Sequence, residues 1–183
     1  MRNLFIFIFI FTYAFSMRLS AINLEQLELE DGFEISIFAD NLDAPRQMVE
    51  GENGTIFVAE RGGQILALID ADKNGQIDSK IIVAKDLTLS TGLSIFDGSL
   101  YFSEISKIWK INNIEDWLRN QTDINELPNK NLVIDGLPDD TWHGWKWLQH
   151  DEQGRLHFNV GAPCNICLSE NQQFASILRI END

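Results

Sequence analysis

Basic residues are scarce in this chain of 183 residues: 14 Lys and Arg stand against 28 Asp and Glu, for a formal charge of −14. A surface of that kind repels phosphate backbones, and no Lys/Arg cluster interrupts it, so nucleic acid is not expected as a partner. Cysteine is nearly absent, with Cys164 and Cys167 alone. Two thiols do not make a disulfide scaffold, and zinc would need two further ligands that nothing nearby supplies. No apolar run approaches the roughly 20 residues that span a bilayer. The run Leu4 to Phe11, continued by Tyr13, Ala14 and Phe15, follows Arg2 and leads into small residues. A basic start, a short apolar core and a choice of cleavage after Ser16 or Ala21 read as a secretory signal over residues 1–21. Residues 22–183 would then fold in the periplasm or outside the cell, where disulfides persist.

What remains is globular in composition, 44% hydrophobic and 23% charged. Phe33, Ile35 and Ile37 alternate with polar neighbours and predict a strand. Another begins at Gln47-Met48-Val49. Asn53-Gly54 is a hairpin signal ahead of Thr55 to Glu60, and Gly62-Gly63 turns the chain into Gln64 to Ile69. The pattern then returns. Asp97 to Glu104 echoes Asn53 to Glu60 and is followed by Lys107 to Ile111; Gln153 to Val160 is a third copy, followed by Ala175 to Ile180. Outer strands at Ile81-Ile82-Val83 and Asn131 to Ile134 lie between the units, and one short helix, Ile114 to Asn120, carries Trp117. A period of roughly 40–55 residues with four short strands per unit marks β-propeller blades. The expected class is all-β, about three blades of a propeller. Because closed rings use about four to eight blades, the chain reads as part of a longer one.

Aligning the copies on their first strands sets Arg46, Thr91 and His143 at corresponding points, where inner strands begin and a radial repeat gathers its binding site. His143 lies between Trp142, Gly144 and Trp145, and a histidine accepts protons near neutral pH; a packed histidine among aromatics is the plainer reading. Asp70, Asp72, Asn74, Gln76 and Asp78 offer oxygen at positions one, three, five, seven and nine of a loop with Gly75 at six. Position twelve is Ile81 rather than Glu, which excludes an EF-hand and leaves a structural calcium site or an Asp/Asn-rich turn. Leu168 stands after Cys164-Asn165-Ile166-Cys167 where haem attachment needs His, and no βαβ context supports a redox motif. A local disulfide stiffening the Gly161-Ala162-Pro163 loop is expected.

The segments GFEISIFADNLDAPRQM, NGTIFVAER, DADKNGQID, TGLSIFDGSLYFSEISKIWKI, LPDDTWHGWKW and GRLHFNVGAPCNIC together resemble the glucose/sorbosone dehydrogenase family, in its L-sorbosone and pyranose dehydrogenase-like branch. The resemblance runs from Gly32 to the C-terminus, and its last two segments are the specific ones. It implies a six-bladed propeller that uses pyrroloquinoline quinone (PQQ), often with calcium, to oxidise a sugar or aldehyde and pass electrons to an acceptor such as a cytochrome. His143 matches the family's active-site histidine, which takes the proton of the sugar hydroxyl; Arg46 and Thr91 would lie near the quinone or substrate. Trp142 departs from the pattern, where relatives often carry His or Asp. Most quinone- and calcium-holding residues of relatives fall in later blades. A non-catalytic propeller scaffold is the alternative expectation.

Overall fold

The computed structural model describes residues 24–123 and 125–181; the segment read as a signal, 1–21, lies outside them. The chain divides into two units, Met1–Ser36 and Ile37–Asp183. In the described part of the first, the regular structure is a single 3-10 turn, Leu24–Gln26. The strand expected over Phe33 to Ile37 does not form: the segment is irregular and joins none of the sheets. Phe33, Ile35 and Ile37 are all exposed. Alternation predicts a strand only where a neighbour supplies the ladder that satisfies its backbone, and here none does.

The second unit is built from three antiparallel sheets that follow one another along the chain. The first contains β1 (Pro45–Glu50), β2 (Ile56–Glu60), β3 (Gln64–Ile69) and β4 (Ser79–Ala84), paired in sequential order. The second contains β5 (Leu93–Phe96), β6 (Ser99–Ser103), β7 (Ile108–Ile111) and β8 (Asn131–Ile134). The third has β9 (Leu148–His150), β10 (Leu156–Val160) and β11 (Ser176–Ile180). The turn chemistry accounts for the first hairpin of each sheet. In the second sheet, Phe96 pairs with Ser99 across Asp97 and Gly98, both at positive φ, the two-residue turn whose twist suits a hairpin. The other two sheets use a wider loop in which Gly51 N–H donates to the Thr55 carbonyl and Asp151 N–H to the Arg155 carbonyl.

Between the first two sheets, Phe57, Ala59, Ile65, Ala67 and Val83 pack with Leu93, Leu100, Phe102 and Ile111, all essentially buried. Between the second and third, Ile108 meets Leu148, Leu156, Phe158 and Val160. Helix α1 (Ile114–Asn120) closes the connection from β7 to β8. Its Glu115, buried, accepts a hydrogen bond from Thr55 Oγ1 at 3.0 Å and so ties the second sheet to the first hairpin.

The tightest stitching runs between the first strands of the sheets. The buried Gln47 side chain accepts from Leu93 N–H at 2.9 Å and from Leu148 N–H at 3.2 Å, and its amide donates to the Leu148 carbonyl at 3.0 Å. One residue of β1 thus holds backbone of β5 and β9. Gly92 permits the approach, because a Cβ there would collide with the Lys146 carbonyl. Gln47→Ala would strand three buried backbone groups, at a cost of about 2–4 kcal/mol. Urea denaturation should show that loss without a change in slope; a loss under about 0.5 kcal/mol would contradict the role assigned to this amide.

Candidate active site

Hairpin register fixes which residues are equivalent. Met48, Leu93 and Leu148 pair with Val58, Phe102 and Phe158 respectively. Two residues earlier stand Arg46, Thr91 and Lys146. The third member of the set is therefore Lys146, and the alignment that put His143 there is corrected: His143 lies three residues upstream, on the loop before β9. An irregularity in β1 between Pro45 and Met48, and the long lead-in Trp142 to Trp147, obscure this offset in the sequence.

Arg46, Thr91 and Lys146 do come together. Thr91 Oγ1 donates to the Lys146 carbonyl at 3.1 Å and accepts from Lys146 N–H at 3.2 Å. With Pro45, Gln47, Trp145, Trp147 and Asn159 they line a cavity of about 340 Å³. Trp145 and Trp147 are its aromatic elements. The guanidinium carbons of Arg46 and Arg61 lie 4.6 and 4.9 Å from the Trp145 ring centroid, within the range of attraction between a cation and a π-face. Trp145 Nε1 is buried and has no hydrogen-bond partner among the described residues. Asn159 spans the cavity wall, donating to the Trp145 carbonyl at 3.0 Å and accepting from Trp147 N–H at 2.6 Å. Lys146 is buried, and its Nζ donates to the carbonyls of Gly144 at 2.7 Å and Pro138 at 3.3 Å. Burial brings its pKa down to about 8, against the opposing pull of Asp139.

His143 does not line this cavity. Half-buried, it sits two residues from Trp145, with Trp142 set edge-on at 6.3 Å between ring centroids. Its Nε2 is 2.9 Å from Asn165 Oδ1. Cys164 and Cys167 are joined by a disulfide.

The loop Asp70 to Asp78 connects β3 to β4. Carboxylate oxygens of Asp70, Asp72 and Asp78 lie within 4.8 Å of one another. Asn74 is spent locally: its Oδ1 accepts from Gln76 N–H at 2.9 Å and its amide donates to Asp72 at 3.0 Å. Gln76 joins this turn through its backbone N–H.

His150 is not among the residues that the sequence singles out for a site. It is in fact buried at the end of β9, with Nδ1 at 2.9 Å from Ser94 Oγ, stacked on Phe96 and edge-on to Tyr101. Ser94 Oγ also accepts from His150 N–H at 3.2 Å, so two bonds fasten β9 to β5. Nearby, Asp151 is bound by Arg155 N–H at 2.9 Å, the Arg155 side chain at 2.7 Å and His157 at 3.0 Å. Desolvation works against ionisation of Asp151, but those bonds outweigh it and hold its carboxyl well below the usual range.

Three blade-like sheets with converging first strands define a segment of β-propeller. Solved propellers of similar fold include the holo PQQ domain of pyranose dehydrogenase from Coprinopsis cinerea, with a TM-score of 0.66 and 19% identity over 82% of this chain and 36% of that one. The PQQ-bound aldose sugar dehydrogenase of Streptomyces coelicolor gives 0.59 and 18% over 80% and 47%. The calcium structure of the Trichoderma reesei carbohydrate-active enzyme of family AA12 gives 0.59 and 19% over 74% and 34%. The chain belongs to the TrAA12-like family, whose model matches residues 27–178. An uncharacterized protein of Borreliella burgdorferi is 25% identical over 159 residues, which are 84% of this chain and 40% of that protein. The chain thus spans well under half the length of that relative.

Burial brings the His150 pKa down to about 4, with Asp151 opposing and Lys110 and His157 assisting. The folded state then binds fewer protons than the unfolded state between about pH 4 and pH 6.5, so this group's contribution is full above that window and is lost as pH falls through it. Chemical denaturation at pH 7 and pH 4.5 should show wild type losing about 1–2 kcal/mol more than His150→Gln over that interval; equal losses would rule the mechanism out.

Proposed function

We propose that this chain is part of an exported, PQQ-dependent dehydrogenase that oxidises a sugar or a related aldehyde. The observation that carries the reading is the cavity at the first strands, lined by Arg46, Thr91, Trp145 and Lys146, with Arg61 set against the Trp145 ring. PQQ is flat and carries carboxylates. A guanidinium group at the cavity, a second on the same indole and the exposed face of Trp147 suit such a ligand, and the two cations stand out in a chain of charge −14. Arg46 would pair with a carboxylate, Arg61 on the same indole would add positive charge, Trp147 would offer an indole face, and Thr91 and Lys146 would shape the wall. PQQ, when bound, supplies the electron acceptor for oxidation of a carbinol carbon.

The chain's own residues do the rest. His143, on the loop that runs into Trp145, takes the proton of the substrate hydroxyl as the carbon is oxidised, a transfer worth about 10²–10⁴-fold in rate. Trp142 and Trp147, both largely exposed, offer apolar faces of the kind on which a sugar ring packs. Calcium is proposed as a structural ion at Asp70, Asp72 and Asp78, which would neutralise their mutual repulsion. Electrons leave to an acceptor such as a cytochrome. The Cys164–Cys167 disulfide and the signal-like residues 1–21 support export. A non-catalytic, ligand-binding propeller is the second reading, favoured by the position of His143 outside the cavity lining.

Dye-linked oxidation of a sugar panel by the full protein, with PQQ and calcium, separates the two. Turnover that falls about 10²–10⁴-fold in His143→Ala, with PQQ binding kept, supports the enzyme; PQQ binding without turnover of any sugar supports the scaffold. For the ion, adding calcium to EDTA-treated protein should raise Tm by a few degrees in wild type and not in Asp70→Asn/Asp72→Asn; an equal rise in both contradicts the site.

A further inference from the structure

In the sequence the cysteine turn and the histidine stand apart, one suited to rigidity and one to chemistry. The structure joins them. Asn165 sits between the two cysteines, and its Oδ1 lies 2.9 Å from His143 Nε2, 22 residues away in sequence. An amide oxygen only accepts, so the ring proton of this bond is on Nε2. A neutral imidazole has one ring proton, and its lone pair is then on Nδ1. Nδ1 has no hydrogen-bond partner among the described residues.

Ala162, Pro163 and Cys164 lead half-buried into the turn that delivers Asn165, but its tip has no apolar anchor among the described residues. Ile166 and Leu168 are fully exposed, at 96% and 103%. What holds it is covalent, the Cys164–Cys167 bond closing a four-residue ring with 5.9 Å between Cα atoms. Beside it, Gly161 presses on the His143 backbone so closely that a Cβ would overlap the His143 carbonyl. Gly144 is packed in the same way against the Asp140 carbonyl. The main chain of His143 is therefore fixed from both sides, and the ring is the part left to orient.

We propose that Asn165, held by the disulfide-closed turn, is a positioning residue that fixes His143 as the Nε2–H tautomer and leaves Nδ1 as the proton-accepting atom. This rests on the reading of His143 as the base. The disulfide thereby acquires a role in the chemistry: without it, the entropy of an open, exposed turn works against keeping Asn165 in place.

The test is imidazole nitrogen NMR of the full protein at a pH where His143 is neutral, with the signal assigned by its loss in His143→Ala. Wild type should show the Nε2–H form alone. Asn165→Ala and the double variant Cys164→Ser/Cys167→Ser should both show a tautomer mixture, while Asn165→Asp, which keeps the acceptor, should restore the single form. Asn165 is exposed, so its substitutions should leave the fold intact, which circular dichroism checks. In the dye-linked assay Asn165→Ala should lower kcat about ten- to hundredfold at unchanged KM. A wild-type Nδ1–H tautomer, or a tautomer unchanged in Asn165→Ala, overturns the proposal. If the spectra behave as expected while His143→Ala keeps full turnover, the positioning stands and the assignment of His143 as base falls.

Discussion

A single side-chain amide, that of Gln47, sets the geometry on which the rest depends. Sheets that meet only through apolar faces can slide, because hydrophobic contact is non-directional. Hydrogen bonds are not so tolerant, and Gln47 binds Leu93 N–H, Leu148 N–H and the Leu148 carbonyl at once. Those bonds bring the first strands of three sheets to one place. Thr91 and Lys146 add a second tier a residue or two away. The cavity is the space left around this stitching, and residues at the start of each first strand or just ahead of it become its wall.

The electrostatics follow from that convergence. An acidic chain should spread its few cations to balance its surface, yet Arg46 and Arg61 share one indole and Lys146 is buried next to it. Keeping a lysine there lowers its pKa to about 8 through desolvation, which the charge of Asp139 partly offsets. The apolar cores between sheets, by contrast, explain the fold and carry no information about the ligand.

Much of the fold was legible because hairpins are local. Period-two alternation and the dipeptides Asn53-Gly54 and Asp97-Gly98 mark strands and turns within a few residues, and the short helix carrying Trp117 follows the same local logic. Phe33 to Ile37 shows the limit, since alternation does not reveal whether a partner strand exists. The site was less legible, because its contacts join residues far apart in sequence. Lys146 could have been found by counting back from Leu148, the residue opposite Phe158, but its register depends on a pairing that only the sheet displays. His150 and Ser94 meet across two sheets, and Asn165 meets His143 across a disulfide turn; no spacing rule signals either pair. Arg46 and Thr91 could be set at equivalent points from the sequence because each stands two residues ahead of a position, Met48 or Leu93, whose hairpin the sequence marks clearly.

A flat, polyanionic quinone is the ligand we propose for the cavity around Trp145. Titrating PQQ into the protein while following tryptophan fluorescence tests it most directly, with Trp145→Leu and Arg46→Ala/Arg61→Ala as controls. Quenching should saturate in wild type, with affinity reduced at least about tenfold in each variant. Quenching that never saturates, or that saturates identically in all three proteins, would contradict it.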